Sequence, residues 1–152
     1  MLKRVSSENP SLVSLTKDCF QELRAIYFPN KTAKPTSSND EWVTYAYFVD
    51  AKAVACIKVK STNSELQLSG LAVDRAYRKQ GFARRLITAT CELYNSAKTL
   101  SVWCVEETGN VEVFKALGFE VLQSEESTLF SLTNGNSATE VKLVYSTRNT
   151  HG

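Results

Sequence analysis

The sequence predicts a mixed α/β domain, with a mostly antiparallel sheet, one parallel strand pair inside it, and flanking helices. Three observations carry this. Apolar side chains recur at intervals of three and four near the start, at Leu12, Leu15, Cys19, Leu23 and Ile26, which is the period of an amphipathic helix. From Trp42 the chain turns to β-branched and aromatic runs, which suit a pleated, half-buried surface. Between Glu65 and Val105 a strand-like, a helix-like and a second strand-like segment follow one another, the order that lays two strands parallel.

Each element can be justified in turn. The first helix spans residues 10–28. Residues 29–41, "PNKTAKPTSSNDE", hold two prolines among small polar residues and read as a loop, either a plain connector or a lid over a substrate. "WVTYAYFV" and "AVACIKVK", separated by "DAKA", form an antiparallel hairpin. "ELQLSGLAV" is a third sheet strand, residues 81–96 a second long helix, and "TLSVWCV" another strand. "NVEVFKALGF" is a short helix that Gly118 ends, glycine being the favoured residue just past a helix C-terminus. Further strands are expected near "FEVLQ" or "TLFSL" and at "EVKLVYS". A single domain covers residues 1–152, with 146–152 a flexible tail. Its 43% hydrophobic content suffices for a core without cross-links.

Composition removes several functions. Net charge is +2, so any anion site must be local. Basic and aromatic residues are not interleaved as a nucleic-acid stacking platform requires. No run approaches the length of a membrane span, and no signal peptide opens the chain. Cys19, Cys56, Cys91 and Cys104 form no CxxC pair, and His151 stands alone, so no metal site is expected. All four cysteines lie in apolar patterns and read as reduced core thiols of a cytoplasmic protein.

Two features point to a ligand. In "ELQLSGLAV", Leu66 and Leu68 share one parity and Leu71 and Val73 the other. If all four face one core, an extra residue lies between them, a β-bulge at Gly70; if both faces are buried, parity carries no information. The second feature is the start of the helix after Gly81. Phe82, Leu86, Ala89 and Leu93 form its apolar stripe, with Ala83, Ile87, Thr90 and Tyr94 beside it, while Arg78, Lys79, Arg84 and Arg85 crowd its first turn. That end already carries positive dipole. Cations there are costly unless an anion is expected, and open N–H groups beside Gly81, which lacks a Cβ, would hold one. A solvated basic turn is the alternative.

At this point the sequence resembles the GNAT family of N-acetyltransferases. Arg78-Lys79-Gln80-Gly81-Phe82-Ala83 fits the pattern Q/R-x-x-G-x-G/A, "LAVDRAYR" is similar to that family's fourth strand and following loop, and "VFKALGF" is similar to its "LYEKLGF" segment. The likeness runs over residues 42–145 in element order. It implies an acetyl-coenzyme A site. The pyrophosphate would rest on the turn formed by Arg78, Lys79, Gln80, Gly81, Phe82, Ala83 and Arg84, with Lys79 near the ribose phosphate. Leu71, Ala72 and Val73 would line the pantetheine in a split between "LAV" and "SVWCV", with the N–H of Leu71 on the thioester carbonyl. The acceptor would be a small-molecule or peptide amine; a homodimer is left open.

The catalytic pattern departs from the family's. The usual glutamate position on the strand is Gln67, and the usual tyrosine of the late helix is Phe114. Glu65 and Glu107 are the candidate bases, Glu107 standing where an asparagine is common. Glu106, Cys104, Tyr45, Tyr47 and Tyr145 are further candidates. Positioning alone, with the oxyanion held by backbone, would also serve. The alternative function is a non-catalytic acyl-coenzyme A binding module that regulates a partner.

Overall fold

The computed structural model describes residues 2–29, 42–62 and 65–147. In chain order it forms β1 (Lys3–Val5), α1 (Pro10–Arg24), β2 (Tyr27–Pro29), β3 (Val43–Val49), β4 (Lys52–Thr62), β5 (Glu65–Val73), α2 (Phe82–Leu93), β6 (Thr99–Val105), α3 (Asn110–Ala116), β7 (Glu120–Leu132) and β8 (Ser137–Ser146). Short 3₁₀ turns lie at Arg75–Tyr77 and Glu106–Thr108. The strands make one sheet in the order β1-β3-β4-β5-β6-β8-β7-β2. β5 and β6 are its parallel pair, and the remaining neighbours are antiparallel. This is the predicted class. No helix among the described residues is long and apolar enough to cross a membrane.

Helices cover the two faces unequally. α1 lies on one face, where Leu12 and Leu15 pack on Ala46, Ala53, Cys56 and Ala72. These small sheet residues let the helix approach closely. Asn9 starts α1 by accepting from the N–H groups of Ser11 and Leu12, with Pro10 in the first position, where its missing N–H costs nothing. α2 and α3 lie on the other face. There Leu86, Ile87, Val111 and Phe114 join Ile57, Leu66, Leu68, Leu100 and Leu143 in the main core.

Several boundaries differ from the sequence reading. α1 ends at Arg24 rather than continuing to residue 28. Ile26, Tyr27 and Phe28 are β-branched or aromatic and precede Pro29, which biases the chain to extended backbone; Tyr27–Pro29 become an edge strand on β7. Of the expected 29–41 loop, residues 30–41 lie outside the described residues. β1 was not expected; three residues are too few to show a period. "FEVLQ" and "TLFSL" belong to one long strand, β7. β8 runs to Ser146, and Thr147 donates its hydroxyl to Ala97 O at 3.0 Å, so residues 146 and 147 of the expected tail are tied to the sheet; residues 148–152 lie outside the described residues. The buried stripe of α2 is also rotated. Phe82, Leu86, Ile87, Thr90 and Cys91 are buried, while Leu93 is exposed. Thr90 can take a core position because its hydroxyl donates to Leu86 O at 2.7 Å.

Gly118 does terminate the segment after α3, with a φ of 104°. A Cβ there would lie 2.9 Å from the ring of Tyr145, whereas one at Gly135, also at positive φ, would meet nothing within 4 Å. Gly118→Ala should therefore lower unfolding free energy by roughly 1–3 kcal/mol, read from denaturant midpoints, and Gly135→Ala by clearly less. Equal costs would mean that backbone strain, and not the packing of Tyr145, sets the price at residue 118.

Candidate functional site

The bulge in β5 is present and shapes the site. Cys56 pairs with Ala72, and Lys58 with Ser69, so the single residue Ile57 faces two on β5, Gly70 and Leu71. Gly70 takes a φ of 61°, the left-handed conformation that glycine adopts at such bulges. The parity change follows. Leu66, Leu68, Leu71 and Val73 all pack on the main core, while Ala72 turns to the α1 face.

The two parallel strands part at the same level. Their ladder runs from Glu65↔Thr99 to Leu68↔Val102 and stops. Beyond it β5 stays with β4, through Ala72 and Val73, and β6 stays with β8, through Trp103, Cys104 and Val105. The orientation of the backbone within the split follows from its end. Asp74 N–H donates to Val54 O of β4 at 2.8 Å. Groups two residues apart in a strand point the same way, so Ala72 addresses β4, and the amides of Leu71 and Val73 face the opened side. The Val73 carbonyl on that side accepts from Arg78 Nε at 2.9 Å.

At the mouth of the split stands the basic turn. Asp74 caps the 3₁₀ turn by accepting from Ala76 N–H at 2.9 Å. Lys79 and Gly81 take φ values of 64° and 83°, and α2 begins with no side-chain cap. Its first intrahelical bond is from Arg85 N–H to Gly81 O. The N–H groups of Phe82, Ala83 and Arg84 are thus the orphan donors of an uncapped helix. Beside them opens a cleft of about 630 Å³. Leu71, Ala72 and Val73 line one wall; Arg78, Lys79, Gly81, Phe82, Ala83 and Arg84 line its head. Gln80 turns away, donating to Ala76 O at 3.1 Å.

The cations are distributed rather than stacked. Arg78 forms a two-pronged pair with Glu22 of α1, at 3.1 and 2.8 Å, and Arg75 Nε reaches the same carboxylate at 3.1 Å. Hydrogen bonding from Arg78, helped by Arg75, holds the Glu22 carboxyl down to about 2. Arg84 donates to Ala116 O at 3.0 Å, bridging α2 to the end of α3. Arg85 lies over the rings of Tyr47 and Phe82.

The proposed proton-transfer groups are placed elsewhere. Glu65 sits at the far end of β5, paired with Lys142 at 3.6 Å. Glu107 Oε1 accepts from Thr139 N–H at 2.8 Å and ties the turn after β6 to β8. Neither lines the cleft. Phe114 is buried, edge-on to Phe119. Cys104 is buried, which pushes its thiol up to about 12. The hydroxyls of Tyr45 and Tyr94 bond each other at 2.8 Å, Tyr47 donates to Arg85 O, and the Tyr145 ring packs on Phe119 while burial raises its pKa.

Sequence reasoning missed the contribution of α1. Cys19, Glu22 and Leu23 line the cleft; the helical period placed Cys19 and Leu23 on the apolar stripe but could not show that part of this stripe walls a site. Cys19 is only partly buried, unlike Cys56, Cys91 and Cys104. Thr108, Asn110 and Val113 close the opposite wall.

Comparison with known proteins adds the relationship. None of the curated proteins searched matches the chain. Among solved structures, the protein smu.2055 from Streptococcus mutans UA159 is similar with a TM-score of 0.75 at 15% identity, covering 97% of this chain and 99% of its own. A probable acetyltransferase from Staphylococcus epidermidis ATCC 12228 gives 0.71 at 20%, covering 96% and 98%. A Bacillus subtilis acetyltransferase in complex with CoA gives 0.65 at 13%, covering 95% and 97%. At these identities the likeness is one of fold. The sequence itself matches the acetyltransferase (GNAT) family over residues 9–119, a span that takes in α1, the bulged strand, the basic turn and α3, and the chain belongs to that family.

Proposed function

We propose that the protein transfers an acetyl group from acetyl-coenzyme A to a primary amine by direct attack. The observation that carries this reading is the coincidence of three features at one level of the sheet: the bulge, the parting of β5 from β6, and the uncapped start of α2. The cleft between them suits a long, thin ligand with a diphosphate at one end. The N–H groups of Phe82, Ala83 and Arg84 would hold the diphosphate, as helix N-termini hold anions. The opened amides of Leu71 and Val73 would meet the pantetheine arm and the thioester. That a solved acetyltransferase of this fold was obtained in complex with CoA supports the same reading.

In the transfer, a neutral amine attacks the thioester carbonyl carbon. The oxygen gains negative charge while accepting the Leu71 N–H, which is fixed before the reaction begins and needs no reorganisation. The carbon–sulfur bond then breaks, the thiolate leaves, and the amine's extra proton passes through solvent to the departing sulfur. Glu65 and Glu107 are engaged structurally, so this reading assigns neither as the base. Rate then depends on the free-amine fraction of the acceptor. With a working acceptor, kcat/KM should climb with pH toward the acceptor's own pKa over roughly pH 6 to 9, and Glu65→Gln and Glu107→Gln should leave that profile in place. A profile that loses its rise in either variant would identify a carboxylate base.

Ala83→Glu tests the anion site. A carboxylate in the first turn favours the helix dipole but opposes a bound diphosphate. The variant should keep its melting temperature and lose at least roughly tenfold in acetyl-coenzyme A affinity by calorimetry; unchanged affinity would remove the diphosphate from this turn.

A second reading, an acyl-coenzyme A binding module without transfer, is favoured by Gln67 and Phe114 standing where the family's catalytic pair is usual. Thiol release from acetyl-coenzyme A across polyamines, aminoglycosides, amino acids and peptides separates the two. Calorimetric binding with no release from any amine favours the module.

A further inference from the structure

On the sheet face that α1 partly covers, beside the bulge, lies a second concavity. It measures about 290 Å³, and two cations, Lys58 and Arg4, line it together with Trp42, Thr44, Ser6 and Ser7. That is the lower end of the size range of small-molecule pockets. It joins the transfer point through Lys58. The Cγ and Cδ atoms of Lys58 lie 3.8 Å from where a Cβ of Gly70 would be. The lysine stem runs across β5 at the bulge, one residue before Leu71, and the ammonium lies two bonds further on. Lys58 is half-buried, and among the described residues it has no carboxylate partner. Its stem packs on the strand and leaves the ammonium available to an anionic ligand.

α2 and α3 cover the opposite face over the main core, while the Lys58 stem lies beside Gly70, one residue from Leu71; an acceptor that approaches the Leu71 amide from the α1 face meets this lysine. A polycation would be repelled there. An acid beside the attacking amine would be attracted, and Thr44, Ser6 and Ser7 offer it hydroxyls while the Trp42 ring offers the remainder an apolar face.

Resting on the acetyl-transfer reading above, we propose that the acceptor is a small amine carrying a carboxylate near the nucleophilic nitrogen, an amino acid or close analogue, and that Lys58 binds its acidic group. Lys58 is thus a specificity-determining residue, and polyamines and aminoglycosides are poor acceptors.

The test compares amines matched except at the acid, with each kcat/KM referred to the free-amine form of the acceptor, because the acid and its amide differ in amine basicity. Phenylalanine, phenylalaninamide and phenethylamine form one series; alanine, alaninamide and ethylamine form another. Thiol release should favour the acid by roughly 10- to 100-fold in kcat/KM over its amide, the range of a charge-assisted contact. Lys58→Met, which keeps the stem, should collapse that ratio toward one through KM, and Lys58→Arg should restore most of it. Calorimetry with acetyl-coenzyme A on each variant shows that the fold and the first site persist. Acids no better than amides, or spermidine better than both, overturns the proposal. So does a Lys58→Met effect that falls equally on acid and amide through kcat, which would make the lysine an oxyanion partner. If no amine turns over, titration of acetyl-coenzyme A-loaded protein by tryptophan fluorescence decides. Acid members binding tighter than amides, and losing that advantage in Lys58→Met, supports the assignment; equal or absent binding overturns it. Failure of acetyl-coenzyme A to bind at all would instead sink the transferase reading.

Discussion

Ile57 faces two residues of β5, Gly70 and Leu71, where a regular ladder would give it one. Most of the site descends from that count. The extra residue turns Leu71 and Val73 to the main core that Leu66 and Leu68 already occupy, so the strand stays anchored on one face while its hydrogen-bonding edge is reset. Ala72 is freed to face α1. The ladder with β6 does not continue past Leu68↔Val102, and the amides beyond it open into the gap. A glycine is needed because the bulge puts its residue at positive φ, and the Lys58 stem lies in contact range beside it. One backbone irregularity therefore opens the split, aims the Leu71 amide and lays a cation beside it.

The basic turn shows how the fold tolerates charge where helices avoid it. Five cations near the start of α2, Arg75, Arg78, Lys79, Arg84 and Arg85, would repel one another and the dipole. The structure disperses four of them. Glu22 takes Arg75 and Arg78, aromatic faces take Arg85, and the Ala116 carbonyl takes Arg84. What remains at the head of the cleft is Lys79 and the row of backbone donors at Phe82, Ala83 and Arg84. The arrangement also fixes α1 to the turn, because Glu22 belongs to that helix. The pair is partly exposed and contributes little stability of its own; its effect is on position, since it holds the Arg78 guanidinium against the Val73 carbonyl.

The sequence was informative where one local rule governed. The bulge was one of two readings of the parity of four residues and is the one the register shows, and Gly81 with its neighbouring cations marked the turn where α2 starts uncapped, because both follow from period and charge. Boundaries were less legible where local preference and tertiary pairing compete. Ile26 continues the helical period, yet the helix has already ended and Tyr27–Pro29 join β7 as an edge strand. The rotation of α2 depended on Thr90 finding a partner in Leu86 O, which no hydropathy pattern encodes. The position of Lys58, on which the acceptor proposal rests, was not legible either. Its alternation in β4 marks a solvent-facing lysine, and only the register with Ser69 puts it at the bulge.

The acidic and hydroxyl groups that could move protons are mostly committed. Glu107 holds a backbone N–H, Glu65 a lysine, and Tyr45 and Tyr94 each other. Magnitudes decide whether this matters. A positioned general base contributes typically 10²–10⁴-fold, whereas holding an amine in line with a bound thioester can supply roughly 7–11 kcal/mol of the barrier, equivalent to some 10⁵–10⁸-fold. An oxyanion donor adds a further term of about 3–4 kcal/mol. The split, the Leu71 amide and a lysine that orients the acceptor's acid would deliver the larger contributions. Gln67 and Phe114 give up the smaller one. A site of this kind keeps transfer so long as its acceptor spends enough time as the free amine, and it places the burden of selectivity on what fixes the nitrogen against the carbonyl. In this chain the proposed acceptor site gives that part to Lys58, which has no carboxylate partner among the described residues.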